Sequence, residues 1–88
     1  MIKILSIEPQ SDAKVLLRFS DGSEGIYCAR SLIAEDTVLT RPLAEPTYFA
    51  RAFVEAGALA WPNGLELAPW TLHAELREAG ALVEARVA

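Results

Sequence analysis

Apolar and polar residues alternate with a period of two through the first third of the chain. Met1 to Ile7 is rich in Ile and Leu and stops at Glu8-Pro9, which predicts a first strand. Pro9 has no N–H to give a ladder, so pairing should end there or move to an edge. Gln10 to Ala13 reads as a turn. In Lys14 to Phe19, a second strand, Val15, Leu17 and Phe19 share one face, while Lys14, Leu16 and Arg18 make the other half wet. Ser20-Asp21-Gly22-Ser23 is the strongest hairpin signal, because Asp-Gly supplies the φ > 0 conformation of a tight turn. Glu24 to Cys28 follows as a third strand, with Ile26 and Cys28 on one face and Tyr27 on the other. These three strands predict an antiparallel meander.

The period then changes. Ala29 to Ala34 predicts one or two helical turns, and Glu35 to Pro46 a connection laid over the core. Pro46-Thr47-Tyr48-Phe49 predicts a turn that pins an aromatic pair to the sheet. Arg51–Glu55 and Ala58–Trp61 flank Ala56-Gly57 as a second hairpin, with Phe53 and Trp61 its large side chains. Pro62-Asn63-Gly64 ends that strand and turns the chain. Pro69 suits a first helical position, where a missing N–H costs nothing, and Gly80 suits the position just past the last turn. Leu72, Leu76 and Ala79 form the apolar stripe of that helix; Glu75 and Glu78 lie near it and Arg77 faces away. The fold class is α+β, an antiparallel sheet of two hairpins in the order β-β-β-α-β-β-α with helices packed on one side. Residues 1–80 form a single domain, and 81–88 a tail apolar enough to add a strand.

Composition narrows the classes of function. The chain has 88 residues, 52% of them apolar and 23% charged, which suits one globular domain with little spare stability. A net charge of −4 works against nucleic acid, since phosphate binding needs clustered Lys and Arg. The eight basic residues stand singly, although folding can gather Arg18, Arg30 and Arg51 on one face. The single cysteine, Cys28, cannot form an internal disulfide and fits a reducing cytoplasm. No signal-peptide pattern and no apolar run of membrane-spanning length is present, so a cytoplasmic location is expected. Six Arg against two Lys, with abundant Ala, suggest a GC-rich bacterial genome.

The order of these signals resembles DUF2442, a bacterial family of small domains of unknown function. The resemblance rests on Phe19-Ser20-Asp21-Gly22, then Leu32-Ile33, then Leu43 with Pro46 and Phe49. It continues with Trp61-Pro62-Asn63-Gly64, Glu66, Pro69 and Leu72, and so covers Ile4 to about His73. The specific element is Trp-Pro-Asn-Gly followed by an acid and then a proline. The resemblance implies an α+β domain with two hairpins, found alone or fused to a helix-turn-helix domain. It also implies genomic company with another small protein, an arrangement similar to toxin–antitoxin pairs. It carries no catalytic residues. Asp21, Gly22, Trp61, Pro62, Asn63, Gly64 and Pro69 are its structural motif positions. Two departures stand out: the family often has an acid near Cys28, and a polar residue where this chain has Ala68. Both would cap helices, and losing each costs about 1 kcal/mol.

Chemistry is sparse. His73 is the only histidine; Glu66 and Glu75 are within conceivable reach, but neither makes the i, i+4 ligand pair of a metal-binding helix, so a polar helix residue beside Trp70 is the plainer reading. A nucleophile relay would need Cys28 or a serine beside His73, and a half-buried, inert thiol in a strand is the simpler expectation. Glu35-Asp36 and the Glu75/Glu78 pair read as solvated surface. No catalytic, metal or cofactor residues are assigned, and no cofactor is expected. Trp61 reads as core. Trp70, at a first helical turn, is open to two readings: core packing, or an exposed contact patch with Leu65 and Leu67. The leading expectation is a non-enzymatic protein–protein interaction module, antitoxin-like or regulatory, that binds a partner protein or itself, with no membrane and no nucleic acid. The alternatives are a nucleic-acid-linked regulator using a basic sheet face of Arg18 and Arg51, and a small-molecule binder with a pocket of Tyr27, Trp61 and His73.

Overall fold

The computed structural model describes residues 1–84. Three strands form the meander that the alternation requires: β1 (Ile4–Pro9), β2 (Lys14–Phe19) and β3 (Ser23–Cys28), all antiparallel. Val15, Leu17 and Phe19 are buried together with Ile4 on the inner face. The outer face carries Arg18 between Glu8 (2.6 Å) and Glu24 (3.8 Å), with Leu16 and Ile26 opposite each other. Cys28 lies on that outer face across from Lys14 and is exposed, not half-buried, because the register turns it away from the core.

The first connection, Gln10 to Ala13, places Asp12 and Ala13 at φ of 61° and 59°. The second is a three-residue loop, Ser20 to Gly22, closed by the Gly22 N–H donating to the Phe19 carbonyl at 3.1 Å. Only Gly22 takes positive φ there (88°), so Asp-Gly works as a turn plus a left-handed glycine, and not as a two-residue loop.

A short helix α1 (Arg30–Ala34), a single 3-10 turn (Arg41–Ala44) and a four-residue helix α2 (Pro46–Phe49) carry the chain over the core. α2 is the segment read as a turn, and it does deliver Phe49 to the core. The hairpin β4 (Phe53–Glu55) and β5 (Ala58–Ala60) follows, and a further two-residue strand, β6 (Glu66–Leu67), pairs with β5. The domain is α+β, as expected, and its antiparallel strands form two sheets where one of two hairpins was expected: β1-β2-β3 joined by a short last strand, β7 (Val83–Glu84), and β4-β5-β6. The bulge between Ile4 and Ser6 bends β1 where the sheets meet. There the Ile4 N–H donates to the Gly57 carbonyl at 2.9 Å.

Helix α3 (Pro69–Glu78) covers the inner face through Pro69, Leu72, His73 and Leu76. Ala79, expected in that stripe, is exposed: it is the C-cap, just past the last helical residue, and His73 takes its place on the buried face. The end is a Schellman motif, with Gly80 at φ 70° donating to Arg77 and Ala81 donating to Leu76. Within the tail, β7 (Val83–Glu84) pairs with β3; the remainder of the expected last strand, 85–88, lies outside the described residues. No helix is long and apolar enough to cross a membrane among the described residues.

Candidate functional site

Two polar constellations and one groove stand apart on the fold. The first polar constellation starts at the β2–β3 loop. Asp21 Oδ1 accepts from the Ser23 N–H (2.9 Å) and the Ser23 hydroxyl (2.6 Å), while Oδ2 faces His73 Nε2 at 2.9 Å. An ionised carboxylate only accepts, so Nε2 carries the proton in this contact. The His73 ring stands edge-on to Phe19, with centroids 5.0 Å apart. The two bonds from Ser23 pull the Asp21 carboxyl down to about 2, burial opposes them, and His73 adds a smaller lowering. Ser23 points at the aspartate and not at the imidazole, so this is no nucleophile–base relay. It is a staple between a hairpin loop and a helix 52 residues away in sequence. The expectation that His73 sits beside Trp70 with Glu66 or Glu75 in reach gives way to this pairing with Asp21.

The second constellation gathers around Trp-Pro-Asn-Gly. Trp61 is fully buried, tilted against Phe49, and its indole N–H donates to the Phe49 carbonyl at 3.1 Å. Asn63 works at three atoms. Its N–H donates to the Tyr48 hydroxyl, its Nδ2 donates to the Leu39 carbonyl, and its Oδ1 accepts from the Leu65 N–H. The motif thus ties the β5–β6 turn to α2 and to the connection before it.

The groove, about 360 Å³, lies where α3 begins. Trp70 is 59% exposed, which settles it against core packing. The indole forms one wall with Pro69 and Ala68, and Ile2, Ala56 and Ala58 form others, between the side chains of Lys3, Glu55 and Glu66. Leu65 and Leu67, expected beside Trp70, are half-buried and pack against the core. The exposed apolar company of Trp70 comes instead from the chain's first residues and the β4–β5 turn. Nothing local in the sequence signals that neighbourhood, which is created by the bond from Ile4 to Gly57.

A model described as "Protein of unknown function (DUF2442)" matches residues 4–78. The chain belongs to the DUF2442 family. No curated protein matches it, and no solved structure does.

Other expected sites of this DUF2442 domain do not assemble. Arg51 lies outside every strand, its guanidinium 5.9 Å from the Tyr48 ring centre, and Arg18 is held between two glutamates, so the two make no common basic sheet face. Tyr27, Trp61 and His73 share no pocket: Trp61 is sealed in the core and His73 is turned to Asp21. Tyr27 instead borders a smaller pocket of about 210 Å³ with Glu35, Glu66 and Glu75. Burial first, and then Glu75, raise its phenol to about 12, so it stays protonated. Among the described residues, no group of three His, Cys, Asp or Glu side chains is placed to hold a metal ion.

Proposed function

We propose that this DUF2442 domain is a non-enzymatic interaction module that docks a partner protein through the groove at the start of α3. The observation that carries the reading is Trp70, a large indole left 59% exposed at the rim of an apolar groove while every other aromatic larger than Phe53 is half-buried or buried. Burying an indole removes more apolar surface from water than most single side chains can, and such residues anchor protein interfaces. The two titratable contacts that resemble chemistry, Asp21 with His73 and with Ser23, are both spent on holding the fold. An antitoxin-like or regulatory role, in a bacterial cytoplasm, is the form of this reading that suits the genomic company the family resemblance implies.

The two tryptophans make the test specific. In free protein Trp70 should be open to acrylamide quenching and Trp61 shielded. Co-expression with the product of the adjacent gene should give a complex in which the quenchable component disappears, and Trp70→Glu should prevent that complex while Trp70→Phe weakens it. A complex that forms equally well with Trp70→Glu, or a strict monomer with no complex under co-expression, defeats the proposal.

A further inference from the structure

A second pocket, sharing no residue with the Trp70 groove, lies beneath the β1–β2 turn. It measures about 360 Å³. Its floor is the buried side chains of Leu43 and Phe49, and Ile33 and Pro46 form apolar walls. Asp12 and Arg30, both exposed, also line it. These two opposite charges line one pocket, yet among the described residues neither makes an ion pair, with each other or with anything else. Two unpaired charges of opposite sign on one pocket are the complement of a zwitterion. The volume lies at the small end of the range for ligand pockets.

We propose that this pocket binds a free apolar α-amino acid. The carboxylate meets the Arg30 guanidinium, which can engage it through two parallel N–H bonds. The ammonium meets Asp12, and the apolar side chain rests on Leu43 and Phe49. The backbone supports the arrangement. Asp12 and Ala13 both take left-handed φ near 60°, and the Ala13 carbonyl accepts from the Ala29 N–H at 2.8 Å. That bond ties the backbone turn bearing Asp12 to the residue just before Arg30.

Titration of the ¹⁵N-labelled protein with L-leucine or L-phenylalanine at millimolar concentration tests this. Saturating amide shifts are expected at residues 10–13, 30–33 and 43–49. 4-Methylpentanoate, which is leucine without the ammonium, and isoamylamine, which is leucine without the carboxylate, should each bind more weakly than leucine. Arg30→Gln should weaken amino-acid binding by roughly tenfold. Asp12→Asn should do the same while keeping the turn, since asparagine tolerates left-handed φ. Ala44→Phe, at an exposed lining position, should abolish binding by filling the pocket without altering the melting curve. No saturable shift, shifts outside these segments, or binding indifferent to Arg30→Gln and Ala44→Phe each overturn the proposal. None of these results bears on whether Trp70 docks a partner.

Discussion

Replacing Asp21 by asparagine tests whether the loop-to-helix staple is electrostatic or merely geometric. Asparagine keeps an oxygen for Ser23 but loses the charge that strengthens all three bonds. Moving the carboxyl from its ordinary 3.8 to about 2 corresponds to roughly 2.4 kcal/mol at full strength. The Asp21 side chain is 41% exposed, so water screens much of that, and about 1 kcal/mol is the better figure. Asp21→Ala also strips the acceptor from Ser23 and His73, both buried, and should cost about 2–3 kcal/mol. The sign with pH follows from a carboxyl held below its unfolded value. Its stabilisation is complete above about pH 4 and is lost as pH falls through about 2. Urea unfolding of the parent and Asp21→Asn at neutral pH and in steps toward pH 2 measures this. The gap between them should close over that acid interval. A gap that is the same at both ends, or no gap at neutral pH, would refute the charge-based account.

Gly25→Ala places a Cβ 2.8 Å from the Ala81 carbonyl oxygen and 3.2 Å from Leu76 Cδ1; because the first neighbour is backbone, thermal melting should show a loss of about 1–3 kcal/mol. Ala68 is the N-cap of α3 with extended backbone and no side-chain cap bond, so Ala68→Asp should raise stability by about 1 kcal/mol, read as a melting point several degrees higher. Ala56 carries a Cβ at φ 51° beside Gly57 at 84°, and Ala56→Asn, which suits a two-residue hairpin loop, should stabilise by about 0.5–1 kcal/mol in urea.

The elements were legible where a local rule suffices. Period two fixed the faces of β2, Pro69 and Gly80 bracketed α3, and Gly57 and Gly64, both at positive φ, sat at turns. What stayed hidden depended on groups far apart in the chain. His73 offers no clue to Asp21 in a helix pattern that reads Leu72, Leu76 and Ala79 as its stripe. The meeting of the two sheets also lies at a register shift in β1 and a backbone bond to Gly57, neither of which has a side-chain signature. The Trp70 groove was half visible. An indole at a first helical turn marks a candidate contact, but its neighbours come from the chain's first residues and the β4–β5 turn, so Leu65 and Leu67 were the natural, and displaced, guess.

Trp-Pro-Asn-Gly carries the same lesson at atomic scale. Read along the chain, Asn63 is a turn residue, and any residue tolerant of the turn could replace it. In the fold its side-chain amide donates to the Leu39 carbonyl, 24 positions earlier, while its backbone N–H donates to Tyr48. The two accounts differ in what Asn63→Asp should do. Aspartate suits a turn and still accepts from the Leu65 N–H, so a turn role alone implies almost no change. It cannot donate to the Leu39 carbonyl, however, and sets a negative charge against that oxygen. The staple account therefore expects a loss of about 1 kcal/mol at neutral pH, moderated by the exposure of the site. It also expects the loss to depend weakly on Tyr48→Phe, because the hydroxyl bonds the backbone and not the side chain. A double-mutant cycle in urea separates the two, and a neutral Asn63→Asp would reduce Trp-Pro-Asn-Gly to turn chemistry.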